Sequence, residues 1–271
     1  MAKSAYEFAC DTHTHTICSR HAYSTIGECV AAAQAVGLEL IGSTDHYSCM
    51  ISPTLHVRDY QHFINFPMWP RVWDGIYVLR GVEADIVDLD GHLFGWDMTL
   101  TEGITGRAFA HETTLKDYVW RDLDYVIASI HDQTFTEAGT LAQTTEMYVR
   151  ALDDPKVLML GHVGRAGVPF DMDTVLLAAK ERDKLIEINE HSFAEQYGEQ
   201  VHATCRSVAE RCAELGVMIA CGTDAHIACD VGRFDRTTAL LEQIHFPPEL
   251  IATRSARTFL HVLENVCGPI A

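Results

Sequence analysis

The sequence predicts an α/β protein, a distorted (β/α)7 barrel of the TIM-like type, and three observations carry that expectation. Seven short apolar runs recur along the 271 residues, each followed by a helical or irregular stretch. Several of them, notably VLML and VMIAC, are continuously apolar, as parallel strands covered on both faces are. Imidazoles or carboxylates stand at the ends of six of the seven runs, where a barrel of this kind keeps its chemistry. A flat doubly wound sheet is the alternative.

The first run, YEFACD (6–11), leads to His13 and His15. Thr25 and Glu28 then form a candidate capping box, and Ile26, Cys29 or Val30, Ala33 and Val36 make an apolar stripe that stops at Gly37. The second run, LELIGS (38–43), leads to Asp45 and His46. The third, IYVLRGVE (76–83), ends in Glu83, and the fourth, YVIASIH (125–131), in His131. KVLMLGH (156–162) ends in His162, KLIEIN (184–189) in Asn189, and GVMIACGTD (216–224) leads to Asp224 and His226. Helical patterns over 140–152, 171–182, 198–215 and 235–244 complete the alternation. Two segments break it, 47–75, rich in Pro, aromatics and His, and the polar stretch 88–122. Both are expected to be insertions on one face of a single domain spanning 1–271.

Composition narrows the possible partners. With 48% hydrophobic and 21% charged residues the chain is an ordinary globular protein. Its formal charge of −18 disfavours long nucleic acids and membrane surfaces, both polyanions. The nine cysteines include no CxxC pair and fall mostly in apolar segments, so free thiols in a reducing compartment are expected. The start MAKSAYEF has no apolar signal region, and no apolar run reaches the ~18 residues of a membrane span. A cytoplasmic location follows as the expectation.

The stretch DTHTHTICSRHAYSTIGE places His13, His15 and His21 within nine positions. Alternate residues of an extended chain point the same way, so the rings of HTH can reach one ion, and DAH repeats the device with Asp224 and His226. Any one of these histidines alone would more often be structural, and the other eight of the chain are read so. The whole set, at strand ends and without thiolate, suits Zn, Mn or Fe. Three divalent ions held by neutral histidines with Glu83 and Asp224 would leave a charge of about +4. Such a site calls for a hydroxide and a multiply charged anion, which a phosphomonoester supplies.

These motifs, together with HFINFPMWPR, LRGVEADI, IASIH and GTDAH, resemble the PHP (polymerase and histidinol phosphatase) family, in its small stand-alone bacterial branch of trinuclear metal phosphatases. The similarity runs nearly end to end. It implies a distorted seven-stranded barrel in which His13, His15, Glu83 and Asp224 bind one ion. Glu83 would bridge to a second ion held with His131 and His162, and His21, His46 and His226 would bind a third. A hydroxide bridging the first two ions would attack phosphorus in line, with Glu83, Asp224 and His226 in the catalytic set. Asp45 and Asn189 are candidates for orienting liganding rings. Arg165 and Arg20 are candidate phosphate contacts. One departure stands out: His162 is followed by Val163 where related proteins often carry Pro, so the shape of that loop is open.

The expected function is hydrolysis of a small phosphomonoester dependent on three divalent ions, Zn first, Mn or Fe next. The competing readings are a phosphodiesterase or nucleotidase, an amidohydrolase-like enzyme, and a non-catalytic metal-binding regulatory domain. The last would need closed coordination, usually with Cys ligands.

Overall fold

The computed structural model describes residues 6–52 and 56–270. Seven parallel strands form the barrel: β1 (Cys10–Thr14), β2 (Leu40–Ser43), β3 (Ile76–Asp85), β4 (Tyr125–Ser129), β5 (Val157–Leu160), β6 (Leu185–Asn189) and β7 (Ile219–Gly222). They pair in chain order, with Cys10 beside Leu40, Ile41 beside Val78, Glu83 beside Ile127, Ala128 beside Leu160, Leu160 beside Ile186 and Asn189 beside Gly222. The ring closes irregularly, through a bridge between Thr14 and Ala225, with the Asp224 N–H donating to the His13 carbonyl at 2.8 Å. The expected distorted barrel is what forms.

Every residue of β1, β2, β4, β5, β6 and β7 is buried, which accounts for their unbroken apolar runs. β1 lies later than the run 6–11. Its parallel pairing starts only at Cys10, because the Ala9 N–H bonds to the Thr253 carbonyl and Phe8 turns away to pack, tilted, against Phe234. β3 runs two residues beyond Glu83 and so carries Asp85.

Helix α1 (Ile26–Val36) has the capping box and a left-handed Gly37 at φ 82°, while Cys29, Val30 and Ala33 pack inward and Val36 stays exposed in the last turn. The short α2 (Gln61–Ile64) and α3 (Leu115–Trp120) lie in the two irregular segments. Outer helices α4 (Leu141–Ala151), α5 (Met172–Glu181), α6 (Gly198–Leu215) and α7 (Asp235–Gln243) match the expected ranges to within two residues at each end. A last helix, α8 (Ala256–Cys267), was not expected, although Ser255 caps it and Phe259, Val262 and Leu263 form its buried stripe. That stripe packs on Cys10, Leu40, Tyr125 and Leu185, the first residues of four strands, and so closes the floor of the barrel.

The segment 47–75 buries Tyr60, Phe63 and Phe66, so its aromatics are mostly core. The segment 88–122 contains an antiparallel hairpin (Thr99–Glu102 with Ala108–Thr114) and leads into α3.

Candidate metal centre

Parallel strands aim their last side chains at one mouth, and the seven histidines singled out in the sequence converge there with Glu83 and Asp224. His13 and His15 lie on or just past β1, and their Nε2 atoms are 3.1 Å apart. Glu83 Oε2 lies 3.4 Å from each of these nitrogens, and Asp224 Oδ1 lies 3.1 Å from His15 Nε2 and 3.7 Å from His13 Nε2. The other oxygen of Glu83, Oε1, faces His162 Nε2 at 2.7 Å and His131 Nε2 at 3.4 Å. His21 Nε2 sits 3.2 Å from His46 Nε2 and 3.0 Å from His226 Nε2. Three overlapping groups of donors result: the two oxygens of one buried carboxylate face the first two, and Oε2 also lies 2.8 Å from His46 Nδ1 of the third.

Hydrogen bonds at the outer edges of the rings decide which nitrogen faces inward. His13 Nδ1 meets Glu187 Oε1 at 2.7 Å, His131 Nδ1 meets Asp85 Oδ1 at 2.6 Å, and His226 Nδ1 meets the Asp224 carbonyl at 2.9 Å. All three partners only accept, so Nδ1 of each ring carries a proton and Nε2 is the nitrogen that the neutral ring would offer to an ion. His15 Nδ1 faces Ser19 Oγ at 3.0 Å, whose own proton goes to Asp45 Oδ1 at 2.6 Å. His15 is therefore fixed in the same form. His13 Nε2 and His15 Nε2, 3.1 Å apart beside two carboxylates, need a positive charge between them, either a proton, which Glu187, Glu83 and Asp224 favour on His13 against its burial, or a metal ion in its place. Glu83 Oε2 is moreover fully buried and makes no hydrogen bond, not even with His46 Nδ1 2.8 Å away, a costly state for an ionised oxygen. This donor set of imidazole and carboxylate without thiolate fits divalent transition metals.

The electrostatics agree. Burial works to raise the pKa of Glu83, but His131, His13 and His46 outweigh it and hold the carboxyl well below its usual value. Asp224 is likewise held low against its burial, by His13, His15 and Arg165. Burial opposes protonation of His131, yet Glu83 and Asp85 push its pKa up to about 11, the mark of a pocket that demands positive charge. Burial and the neighbouring His46 keep His15 well below the ordinary imidazole value.

Asp45 takes the Thr16 N–H and hydroxyl, both at 2.7 Å, and through Ser19 it orients His15. Asn189 Nδ2 donates to Glu187 Oε1 and Asp224 Oδ2. Two residues of this supporting layer went unread in the sequence: Glu187, behind His13, and Asp85, behind His131. The available signal was the two-residue period, since Glu187 shares a strand face with Asn189 and Asp85 with Glu83.

The loop after His162 turns sharply. His162 has φ 30°, and a side chain at Gly164 would meet Cys205 within 3.0 Å. The turn sets Arg165 over the site, with Nη2 2.8 Å from Asp224 Oδ2, Nη1 3.3 Å from Asn189 Oδ1, and the guanidinium 5.2 Å from the Tyr197 ring. Arg20 is instead 52% exposed and engaged with Asp59 at 3.2 Å. His62 lies near Cys18 and Asp45, with ligand-type atoms of the three within 4.8 Å of one another. Asp45 already accepts three hydrogen bonds there. All nine cysteines are free thiols, and no helix among the described residues is long and apolar enough to cross a membrane.

Comparison with known proteins shows the family and the fold. The chain is 40% identical over 254 residues to a probable phosphatase of Acetivibrio thermocellus, covering 93% of this chain and 94% of that one. It is 35% identical to a probable phosphatase of Photobacterium profundum, covering 96% and 95% of the two chains. In fold it is similar to a histidinol phosphate phosphatase from Lactococcus lactis, solved with zinc, L-histidinol and phosphate. That match has a TM-score of 0.54 at 20% identity and covers 88% of this chain and 94% of that one. The model of the PHP domain matches residues 11–235, and the chain belongs to the PHP domain family.

Proposed function

We propose that the protein is a metal-dependent phosphatase that hydrolyses a small phosphomonoester. The observation that carries this reading is the convergence of three donor groups on one mouth, with Glu83 turning one oxygen to each of two of them. His13, His15, Glu83 and Asp224 would hold one ion, Glu83 with His131 and His162 a second, and His21, His46 and His226 a third. When bound, such ions activate water and neutralise phosphate oxygens. Zinc heads the candidates, since the Lactococcus structural relative was solved with it.

The chain's own residues do the rest. Glu187, Asp85 and the Ser19–Asp45 pair hold the His13, His131 and His15 rings in register. Arg165 is anchored by Asp224 and Asn189, which leaves the remainder of its planar fork available to grip phosphate oxygens. Arg20 could do the same only after leaving Asp59.

The test is hydrolysis of p-nitrophenyl phosphate against bis(p-nitrophenyl) phosphate, with zinc or manganese added or chelated. Turnover of the monoester, lost with chelation and lowered on the order of 100-fold in His131→Ala, is expected. Inactivity towards the monoester in the metal-loaded protein would sink the proposal, and preference for the diester would move it to the phosphodiesterases.

A further inference from the structure

A cavity of about 540 Å³ opens beside Asp224 and His226, within the roughly 300–1,000 Å³ range typical of small-molecule sites. Its walls come from the loop after β6, which supplies His191, and from the loop after β7 and the start of α7, which supply Asp230, Arg233, Asp235 and Arg236. Arg236 is committed: its guanidinium lies 3.5 Å from Glu190 Oε1, and Glu190 also takes the N–H groups of Arg236 and Thr237.

Arg233 differs. Among the described residues its guanidinium has no ion pair or hydrogen bond, although Asp230 and Asp235 line the same opening. The His191 ring has no hydrogen bond either; it packs edge-on to Tyr197 at 5.5 Å and lies 6.4 Å from the His226 ring. A cation with no internal contact to surrender can take an incoming anion at little cost.

A second cavity, of about 440 Å³, opens beside Asp85 and is lined by Asp85, Asp88, Asp97, Asp132 and aromatic residues, with no Lys or Arg. An anion would be repelled there. The opening beside His226 also holds carboxylates, Glu190, Asp224, Asp230 and Asp235, but of the two it alone has cations, Arg233 and Arg236, and this difference gives the site a direction.

We infer that the cavity beside His226 receives the leaving group of the substrate, and that Arg233, with His191, selects leaving groups carrying a second anionic group, a carboxylate or another phosphate. Asp230 and Asp235 suit hydroxyls on the same group, as in a phosphorylated polyol acid or a sugar bisphosphate. This inference rests on the phosphatase reading above. Arg165 and Arg233 then divide the work. The first faces the phosphate being cleaved, and the second reads what is attached to it.

The experiment pairs substrates that differ in that group alone. 3-Phosphoglycerate is compared with glycerol 3-phosphate for the carboxylate, and fructose 1,6-bisphosphate with fructose 1-phosphate for the second phosphate. The metal-loaded protein is expected to favour the anionic member of at least one pair by about ten-fold in kcat/KM. Arg233→Gln should bring that ratio close to one, mainly through KM. Calorimetry with the hydrolysis-resistant phosphonate analogues of the first pair reads binding without turnover, and Arg233→Gln should again erase selectivity.

Equal losses for both members of each pair, or a wild-type preference for phosphoethanolamine, whose leaving group is cationic, would overturn the inference. Turnover with a ratio unchanged by Arg233→Gln overturns it while leaving the phosphatase reading intact. No turnover of any ester, together with unselective binding of the analogues, overturns both.

Discussion

Glu187 holds the site from behind. It accepts from His13 Nδ1 at 2.7 Å and from the His162 N–H at 2.9 Å, so one carboxylate fixes a ring of the first donor group and the backbone of the second. Glu187→Gln is expected to lower metal affinity roughly 10- to 100-fold with little change in fold, measured as zinc content after dialysis against a buffered competitor. Asp11 offers a different test. It is wholly buried and accepts from Thr223 N and Oγ1 and from Gly232 N, yet burial outweighs these bonds and raises its pKa to about 6. The folded value therefore lies above the ordinary 3.8, and the ionised form costs stability at neutral pH. As pH falls through about 6 the folded state takes up a proton that the unfolded chain does not yet bind, and stability from this group rises. Urea midpoints of wild type and Asp11→Asn, in excess chelator, should shift by about 1 kcal/mol in favour of wild type between pH 7.5 and 5. A difference independent of pH would show that Asp11 is not strained as its burial implies.

Strand β7 shows how little room the elements leave. A Cβ at Gly222 would sit 2.5 Å from Glu187 Oε1 and 2.6 Å from the His13 Cβ. Gly222→Ala should thus displace the His13–Glu187 pair and lower both metal content and thermal stability, read together by metal analysis and a melting curve. Helix α4 is a control remote from this chemistry: Thr140 and Gln143 form a reciprocal capping box, and Thr140→Ala should cost about 1 kcal/mol with metal content unchanged. The elements were largely readable because their signals are local. Buried strands are unbroken apolar runs, and Thr25, Thr140 and Gly37 mark helix ends where the structure has them. The start of β1 was misplaced because Tyr6 and Phe8 are as apolar as strand residues, and only pairing with β2 says where the ladder begins. The closing helix α8 follows α7 with no strand between them, so it falls outside the strand–helix alternation.

For the molecule as a whole, the proposed metal centre would couple to the fold. Ions held across residues from His13 to His226 would tie six of the seven strands together, an arrangement the unfolded chain lacks. Chelation should lower the melting temperature, and restoring zinc at about a thousand times its dissociation constant should return about 4 kcal/mol of stability. An unchanged melting curve on chelation and reloading would argue against a centre that bridges the barrel. The net charge of −18 sharpens the point, since a chain so acidic would gather its positive field locally, at Arg165, Arg233 and any ions the centre holds.

The nine converging side chains could be picked out from the chain alone, because a parallel strand announces its end by where its apolar run stops, and chemistry-bearing residues at those ends stand out against it. Their distribution between the two oxygens of Glu83, the support of Glu187 and Asp85, and the division between Arg165, anchored at the site, and Arg20, engaged with Asp59, were settled only by the tertiary structure. The reason is geometric. Which face a side chain takes follows from local periodicity, but which partner it meets depends on the shear and closure of the barrel, which bring residues as far apart as Asp11 and Thr223 into contact.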